Sequence, residues 1–432
     1  MSPPVSSRQN FPKYLGIWLA AVILIAATVF LTATFFVSLA RSALASRDPQ
    51  SALGWLDKAG WFGKRHGEIE FLRARCFRRM GNLERFRNSM QAALDQGYPA
   101  ALLEREQILM LAQVGRLRDV EARMPEILLN ANEDAGEVCE AYASGLLLNF
   151  QQEQALTVID SWSKDYPHDP QPELIRAHIL QNASRFKEAE AAYARALKCA
   201  PASPEVQMRY GLALLSNQKF DRAKSIFQAL LSDPNRHDAA SLQLARCERM
   251  RGDLVKSQAA LDQIRKPDKL SDGHLELEKG LLELDKGEFD AAVKSLERAK
   301  SQQSRSIEIG NALARALRGA GRVDEAATEA RRIADSQARL SRADNLQLKV
   351  AADPTNLDAR LEIGMIILEH GDPKRGVSWL QSVLNLDPNH RPANLALAEY
   401  YQSLGDTSKE NTRLAKMYFE RAELSTRSVN GP

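Results

Sequence analysis

Small residues recur along most of this chain at a nearly constant interval. From Ala177, the gaps to the next members of the series, Gly211, Ala245, Gly280 and Ala314, are 34, 34, 35 and 34 residues. A fixed interval of this size indicates stacked supersecondary units, each of which buries its apolar face against its neighbour. The whole series is Ala74, Ala143, Ala177, Gly211, Ala245, Gly280, Ala314, Gly364 and Ala398, and Ile108 stands where one earlier member is missing.

Further columns keep the same phase and predict what each unit contains. A glycine often stands seven residues after the small position, as Gly81 and Gly252 do, where a helix has to stop. A second small residue follows at twelve residues, as Ala223 does, and a larger apolar one such as Phe227 comes four residues later. Small residues allow two helices to cross closely, and we expect the larger residue to fill the space between successive hairpins. No segment shows sustained strand alternation, so the chain is predicted to be all-α.

Two units carry the strongest family pattern. Residues 361–368 are followed by Gly371, Trp379 and Pro388, and residues 185–197 are followed by Pro201. In these residues the chain resembles the tetratricopeptide repeat family, and the resemblance covers nearly everything after an apolar N-terminal segment. It implies a right-handed superhelical solenoid of antiparallel helix hairpins. It also implies a concave surface, lined by the first helix of each hairpin, that binds protein partners.

The N-terminal apolar segment predicts one transmembrane helix. Residues 14–40 contain no charged side chain. This uncharged run is longer than the ~20 residues needed to cross a bilayer. Tyr14 and Trp18 stand at its start, as interfacial aromatic residues do. A cleaved signal peptide is one alternative, but the run is too long for a signal peptide. A buried core helix is another, but the run lacks the polar face that such a helix would show. Basic residues flank both sides almost equally, and we expect the array to be extracytoplasmic, in the periplasm if the host is a bacterium.

Two irregularities shape the expected domain organisation. The gap from Ala314 to Gly364 is fifty residues, and 326–350 contains no helix breaker, which predicts one overlong second helix. A step of 34 residues back from Ala74 reaches Ala40, so the membrane helix is expected to continue into the first repeat. The predicted segments are a tail (1–13), a transmembrane helix (14–40), an N-terminal repeat block (41–335), a connector (336–354), C-terminal repeats (355–425) and a disordered tail (426–432).

The sequence offers no sign of catalysis. It has no phosphate-binding loop, nucleophile elbow, H-E-x-x-H zinc motif or dinucleotide fingerprint. Its seven histidines are scattered, and its four cysteines include no C-x-x-C pair and are interpreted as small buried hydrophobes. We therefore expect no enzyme, cofactor, metal or small-molecule substrate. The net charge of +3 is too small to indicate a nucleic-acid partner.

The resemblance places a candidate binding groove on the first helices. Residues one and four positions after the small residue are expected to face it, and they alternate between arginine pairs and apolar side chains. Arginine pairs can fork onto carboxylates, although the alternative is that they are ordinary solvated charges. The candidates are Arg75, Arg78, His178, Leu212, Arg246, Arg249, Leu281, Arg315, Arg318 and Met365.

These features predict a membrane-anchored scaffold or adaptor whose partner presents an acidic amphipathic segment. One alternative uses the same surface, as a regulatory or assembly subunit of a membrane polysaccharide, glycan or secretion machine. An RNA-binding helical array is less favoured, because base-reading repeats would need a stronger basic stripe than this chain carries.

Overall fold

A computed structural model describes residue 24 and residues 31–61, 66–130, 134–267, 270, 273–405 and 409–429. Within these residues the chain forms 22 α-helices and no strand. The first helix, α1, is described over residues 31–45. It is followed by α2 (Pro49–Trp61), α3 (His66–Arg79), α4 (Leu83–Asp95), α5 (Ala100–Gln113), a 3-10 turn (Leu117–Asp119), α6 (Met124–Leu129), α7 (Ala135–Leu148), α8 (Gln152–Asp165), α9 (Gln171–Asn182), α10 (Phe186–Cys199), α11 (Pro204–Ser216), α12 (Phe220–Leu230), α13 (His237–Met250), α14 (Leu254–Asp262), α15 (His274–Lys286), α16 (Phe289–Gln302), α17 (Ile307–Gly319), α18 (Val323–Ala352), α19 (Leu357–His370), α20 (Pro373–Leu386), α21 (Arg391–Ser403) and α22 (Lys409–Val429).

The chain divides into two compact units, Met1–Leu111 and Ala112–Pro432. The core of the first unit joins Val37, Ala40 and Leu44 of α1 to Leu56 of α2 and Ile69 of α3. In the second unit, apolar clusters follow one another along consecutive hairpins. The repeat blocks expected at 41–335 and 355–425 stay a prediction, and α18 runs unbroken through most of the segment between them.

The N-terminal apolar segment is described only in part. Most of the expected membrane span, 14–40, lies outside the described residues, and no helix among the described ones is long and apolar enough to cross a membrane. Ala33, Val37, Ala40 and Leu44 are at most 4% exposed. Val37, Ala40 and Leu44 pack with α2 as the first helix of a hairpin packs with the second. Helices α1 and α2 thus form a hairpin with Ala40 at its small position, and the membrane helix expected to continue into it stays a prediction.

Hairpins pack closely where a small residue meets a large one. A Cβ atom placed on Gly211 would lie 2.6 Å from Phe227 Cε1, and one on Gly280 would lie 2.6 Å from Leu296 Cγ. The larger residue therefore packs against the small residue of its own hairpin. The expectation that it fills the space between successive hairpins stays a prediction. The small and the large residue are sixteen positions apart because the chain must finish the first helix, turn, and run back along the second helix until the two residues face each other.

A left-handed residue ends the first helix of nearly every hairpin. Six of the expected glycines have φ between 66° and 85°, whereas Gly371 has φ −123° because its amide continues the helical bond to Ile367 O, at 2.9 Å. Units without the glycine use the same conformation at the same place, seven residues after the small position. These residues are Arg47, Phe150, Ser184 and Gln218, with φ of 58–60°. Non-glycine side chains rarely adopt it, so tertiary packing has to impose the turn there.

Two units depart from the pattern. The unit around Ile108 has a short second helix, α6, preceded by a 3-10 turn. The segment without a helix breaker forms a single helix of 30 residues, α18, as predicted.

A buried arginine joins distant parts of the second unit. Arg360 of α19 is 1% exposed, and its Nη2 donates to the carbonyl oxygens of Asn149 at 2.8 Å and Pro354 at 2.7 Å. Its Nη1 donates to Ser382 Oγ at 3.0 Å. Among the described residues no carboxylate lies within 4.0 Å of it, and burial lowers the pKa of Arg360 to about 10. Asn149 caps the end of α7 and Pro354 follows the end of α18, so two helix C-termini, which carry partial negative charge, hold this cation.

Further contacts surround this arginine, and together we call them the clasp. The rings of Phe150 and Trp379 stack, with the Arg360 guanidinium 5.6 Å and 5.9 Å from their centroids. Asn385 Nδ2 donates to Val114 O at 3.2 Å. A bulky residue at positive φ costs free energy, and Phe150 adopts this conformation where its ring contacts Trp379. The clasp therefore fixes α19 and α20 against the end of α7.

Relieving the left-handed strain should stabilise the protein. We expect Gln218→Gly to raise the free energy of unfolding of the second unit by about 0.5–1 kcal/mol, because glycine adopts positive φ without a Cβ clash. The same change at the exposed helical residue Gln228 should lower it by about 0.5–1 kcal/mol, because glycine disfavours helix interiors. Urea unfolding followed by circular dichroism measures both values. Destabilisation by both variants would contradict the turn assignment.

Truncating the clasp arginine should be costly. We expect Arg360→Ala to lower the free energy of unfolding by roughly 1–3 kcal/mol, since buried carbonyl oxygens lose a charged donor. Arg375→Ala, an exposed residue on the neighbouring helix α20, should change it by under ~0.5 kcal/mol. Equal effects of the two substitutions in urea unfolding would argue against a structural role for Arg360.

Candidate partner-binding face

The first helices of consecutive hairpins lie side by side in the second unit. Helices α11, α13, α15 and α17 contact one another in that order. The residue after each small position therefore points to one common side, which we call the first-helix face. It carries Leu212, Arg246, Leu281 and Arg315, together with Arg318 one turn further along α17. His178 of α9 and Met365 of α19 hold the same repeat position on helices outside this set.

The predicted residues differ in how open they are. His178, Arg246, Arg315, Arg318 and Met365 are exposed. Leu212 and Leu281 are half-buried and pack against the cores of their own repeats. Arg75 is half-buried in the first unit.

Arg246 reaches across the face. Its Nη2 atom lies 3.8 Å from Glu308 Oε1, with side-chain exposures of 44% and 57%, so a residue of α13 meets one of α17 over α15. A pair this open and this long contributes little to stability. Arg246 is therefore available to an incoming carboxylate at small cost to the fold.

Two of the predicted groove arginines are structural, which corrects the sequence expectation. Arg78 is 2% exposed, and its Nε atom lies 2.5 Å from Glu106 Oε1. Arg249 holds Glu278 Oε1 at 2.6 Å and Asp285 Oδ2 at 3.1 Å. Burial opposes the charge of Arg249, but these carboxylates outweigh it and raise its pKa. Neither arginine can be withdrawn from its repeat without leaving a buried carboxylate unpaired.

The same register explains why Arg318 is different. Arg78, Arg249 and Arg318 each stand four residues after a small position, and the acids Glu106 and Glu278 stand two residues before the next small position. For Arg318 the equivalent acid is Glu362, but the extra length of α18 intervenes and Arg342 takes this carboxylate at 2.5 Å. In the described part of the chain no carboxylate lies within 4.0 Å of Arg315 or Arg318. The insertion thus leaves Arg318 without the acid its repeat position would otherwise provide.

Two arginines lie near His178 that sequence reasoning missed. Partial burial lowers its pKa first, and the nearby charges of Arg209 and Arg375 lower it further. His178 Nε2 lies 3.5 Å from Asn182 Nδ2. Arg209 precedes Gly211 by two residues, outside the columns that predict the groove. Arg375 lies on a second helix, so no groove pattern pointed to it.

The cysteines are thiols without a functional environment. Cys76 and Cys247 are buried, Cys139 and Cys199 are half-buried, and all four are free. Burial raises the pKa of Cys139 to about 11, which keeps it protonated and unreactive at neutral pH. Among the described residues no group of three His, Cys, Asp or Glu side chains could hold a metal ion.

Solved structures of helical-repeat proteins resemble this chain. A tetratricopeptide repeat protein from Parabacteroides merdae is 17% identical with a TM-score of 0.39, over 59% of this chain and all of that one. The Cut9–Hcn1 hetero-tetramer of the APC/C is 13% identical with a TM-score of 0.35, over 86% and 84% of the two chains. The human IFIT1 dimer with PPP-AAAA is 15% identical with a TM-score of 0.41, over 83% and 90%.

Sequence comparison gives a more specific result. No curated protein matches the chain significantly. The tetratricopeptide repeat family model matches at residues 176–235, 211–270, 277–339 and 311–391. These matches span α9 to α20, whose hairpins build the first-helix face and end in the clasp. In its described residues the chain is therefore an all-α array of helix hairpins, and residues 176–270 and 277–391 match the tetratricopeptide repeat family model.

Proposed function

We propose that this protein is a non-catalytic, membrane-anchored scaffold that holds an acidic, amphipathic segment of a partner protein on its first-helix face. Tetratricopeptide repeats suggest a protein–protein interaction scaffold, and the finer assignment concerns the chemistry of the partner. The observation that carries it is the exposure of Arg315 and Arg318, which have no carboxylate among the described residues within 4.0 Å.

The arrangement of side chains favours a protein segment over a nucleic acid. Arg246 stands beside Glu308, and Arg249 is neutralised by Glu278, so the cations do not form a continuous stripe. Met365 is 50% exposed at the same repeat position of α19 and offers an adaptable apolar contact. An amphipathic segment with carboxylates at helical spacing satisfies both kinds of contact at once.

The anchor is proposed from the sequence of residues 14–32. These nineteen residues lack charge and precede the buried part of α1. As a helix they would measure about 28 Å, close to the ~30 Å hydrocarbon core of a bilayer. The array is proposed to be extracytoplasmic, which a reporter active only in the periplasm, fused after Pro432, would test in a bacterial host.

Neutralising the open arginines should weaken partner binding. For Arg246→Gln, Arg315→Gln and Arg318→Gln combined, three lost exposed pairs at about 0.5 kcal/mol each should lower affinity roughly tenfold. The measurement is fluorescence anisotropy of a labelled amphipathic peptide patterned with Glu and Leu. Binding by the variant should also depend less on salt concentration, because charge contacts have been removed.

The matched control removes three cations from second helices. Lys187→Gln, Lys294→Gln and Arg331→Gln change exposed residues of α10, α16 and α18 and produce the same net charge. We expect this variant to bind the peptide as the parent protein does. Equal weakening by both variants would mean that only net charge matters, and the first-helix face would lose its assignment.

Removing the anchor should release the protein intact only if the cut is placed correctly. We expect a chain lacking residues 1–30 to leave the membrane fraction and keep its thermal unfolding profile. A chain lacking residues 1–45 also loses Val37, Ala40 and Leu44, so the first unit should unfold at lower temperature. Fractionation and circular dichroism distinguish these outcomes. Retention of the shorter deletion in membranes would contradict a single anchor.

A further inference from the structure

The first hairpin exposes an apolar edge at one of its ends. Leu31 and Phe35 of α1 are 66% and 59% exposed, and Trp61, the last residue of α2, is 83% exposed. Leu31 and Phe35 are four residues apart and therefore share one face of α1. Water-exposed aromatic and leucine side chains in such a group mark a surface that contacts something else. We call these three residues the apolar edge.

Helix geometry puts the three residues at the same level. The rings of Phe36 and Trp55 stack with centroids 6.0 Å apart, which fixes the register of α1 against α2. The two helices run in opposite directions. Leu31 lies about 7.5 Å from Phe36 along α1, and Trp61 lies about 9 Å from Trp55 along α2, in the same spatial direction. The apolar edge is thus the end of the hairpin at which the chain enters from the N-terminal segment.

Polarity changes along the hairpin away from that end. The exposed stripe of α1 continues from Phe35 to Ser38 and Ser42, beside the exposed Arg41. On α2 the ammonium group of Lys58 lies 4.1 Å from the centroid of the Trp55 ring. On α1, apolar side chains give way to serines and a cation within about three turns. This is the order that a protein surface shows as it leaves a bilayer.

The chain itself indicates what covers the apolar edge. The uncharged run that begins at Tyr14 enters α1 at Leu31, with no polar linker between the run and the hairpin. If a bilayer surrounds that run, it must also reach Leu31, and with it Phe35 and Trp61 at the same level of the hairpin. We propose that the apolar edge lies in the membrane–water interface, with the Trp61 ring among lipid headgroups and Leu31 and Phe35 against the outer acyl carbons. This inference rests on the anchoring proposed above.

The consequence is a fixed distance between repeats and membrane. The first hairpin would rest on the bilayer and not hang from a linker, and its axis would continue the direction of the anchor. The first unit is then held at the membrane surface by two contacts, the anchor and the Trp61 ring.

Tryptophan quenching in bilayers tests this arrangement on the full chain. The protein is reconstituted in nanodiscs of phosphatidylcholine and phosphatidylglycerol, with bromine either next to the headgroup or near the chain ends. The emission lost on Trp61→Phe isolates Trp61, and that lost on Trp18→Phe isolates a residue of the anchor. We expect shallow bromine to reduce the Trp61 contribution about twofold or more, and deep bromine to reduce it much less.

The two tryptophans separate failure of the inference from failure of the anchor. Quenching of Trp18 without quenching of Trp61 keeps the anchor and overturns the interfacial edge. Quenching of neither residue removes both proposals. A blue-shifted Trp61 emission that no bromine reduces would mean that protein, such as a second copy of the chain, covers the edge, and this also overturns the inference. Strong quenching of Trp61 by shallow bromine together with quenching of Trp18 supports it.

Discussion

Several hairpins of this chain depend on contact between a small residue and a large one sixteen positions later. Gly211 against Phe227 and Gly280 against Leu296 leave no room for another carbon atom. This contact brings the two helices together, and a left-handed residue between them turns the chain back. Because the contact lies between the two helices, it is separate from the outer positions of those helices. That separation allows the outer positions to carry Arg, His or Met without loss of the fold.

The repeating part of the structure could be predicted because each of its contacts recurs at a fixed spacing. Ala40 was placed in a repeat by one step of 34 residues, and α18 by the lack of a helix breaker. The roles of Arg78 and Arg249 could not be predicted from their own repeats, because each arginine pairs with a carboxylate of the following repeat. Their acids lie 28 and 29 residues further on, in the next repeat, at a column that the same period could have found.

The clasp is of another kind. Arg360 and Asn149 are 211 residues apart, and neither belongs to a repeating column of like residues. Arg360 donates to carbonyl oxygens at helix ends and not to a carboxylate. A sequence pattern of opposite charges therefore could not predict its partners. Phe150 offered one hint, since an aromatic residue stands where most units have glycine, yet the ring it would meet could be identified only in three dimensions.

The length of α18 has a consequence for how this chain can change. Each residue of a helix advances the chain by about 1.5 Å and turns it by about 100°. Inserting or deleting one residue anywhere in α18 would rotate α19 by that angle and carry Arg360 away from the carbonyl of Asn149. Substitutions on the exposed side of α18 leave that phase untouched. The length of α18 is therefore constrained by the position of Arg360, whereas the identity of its exposed residues is not.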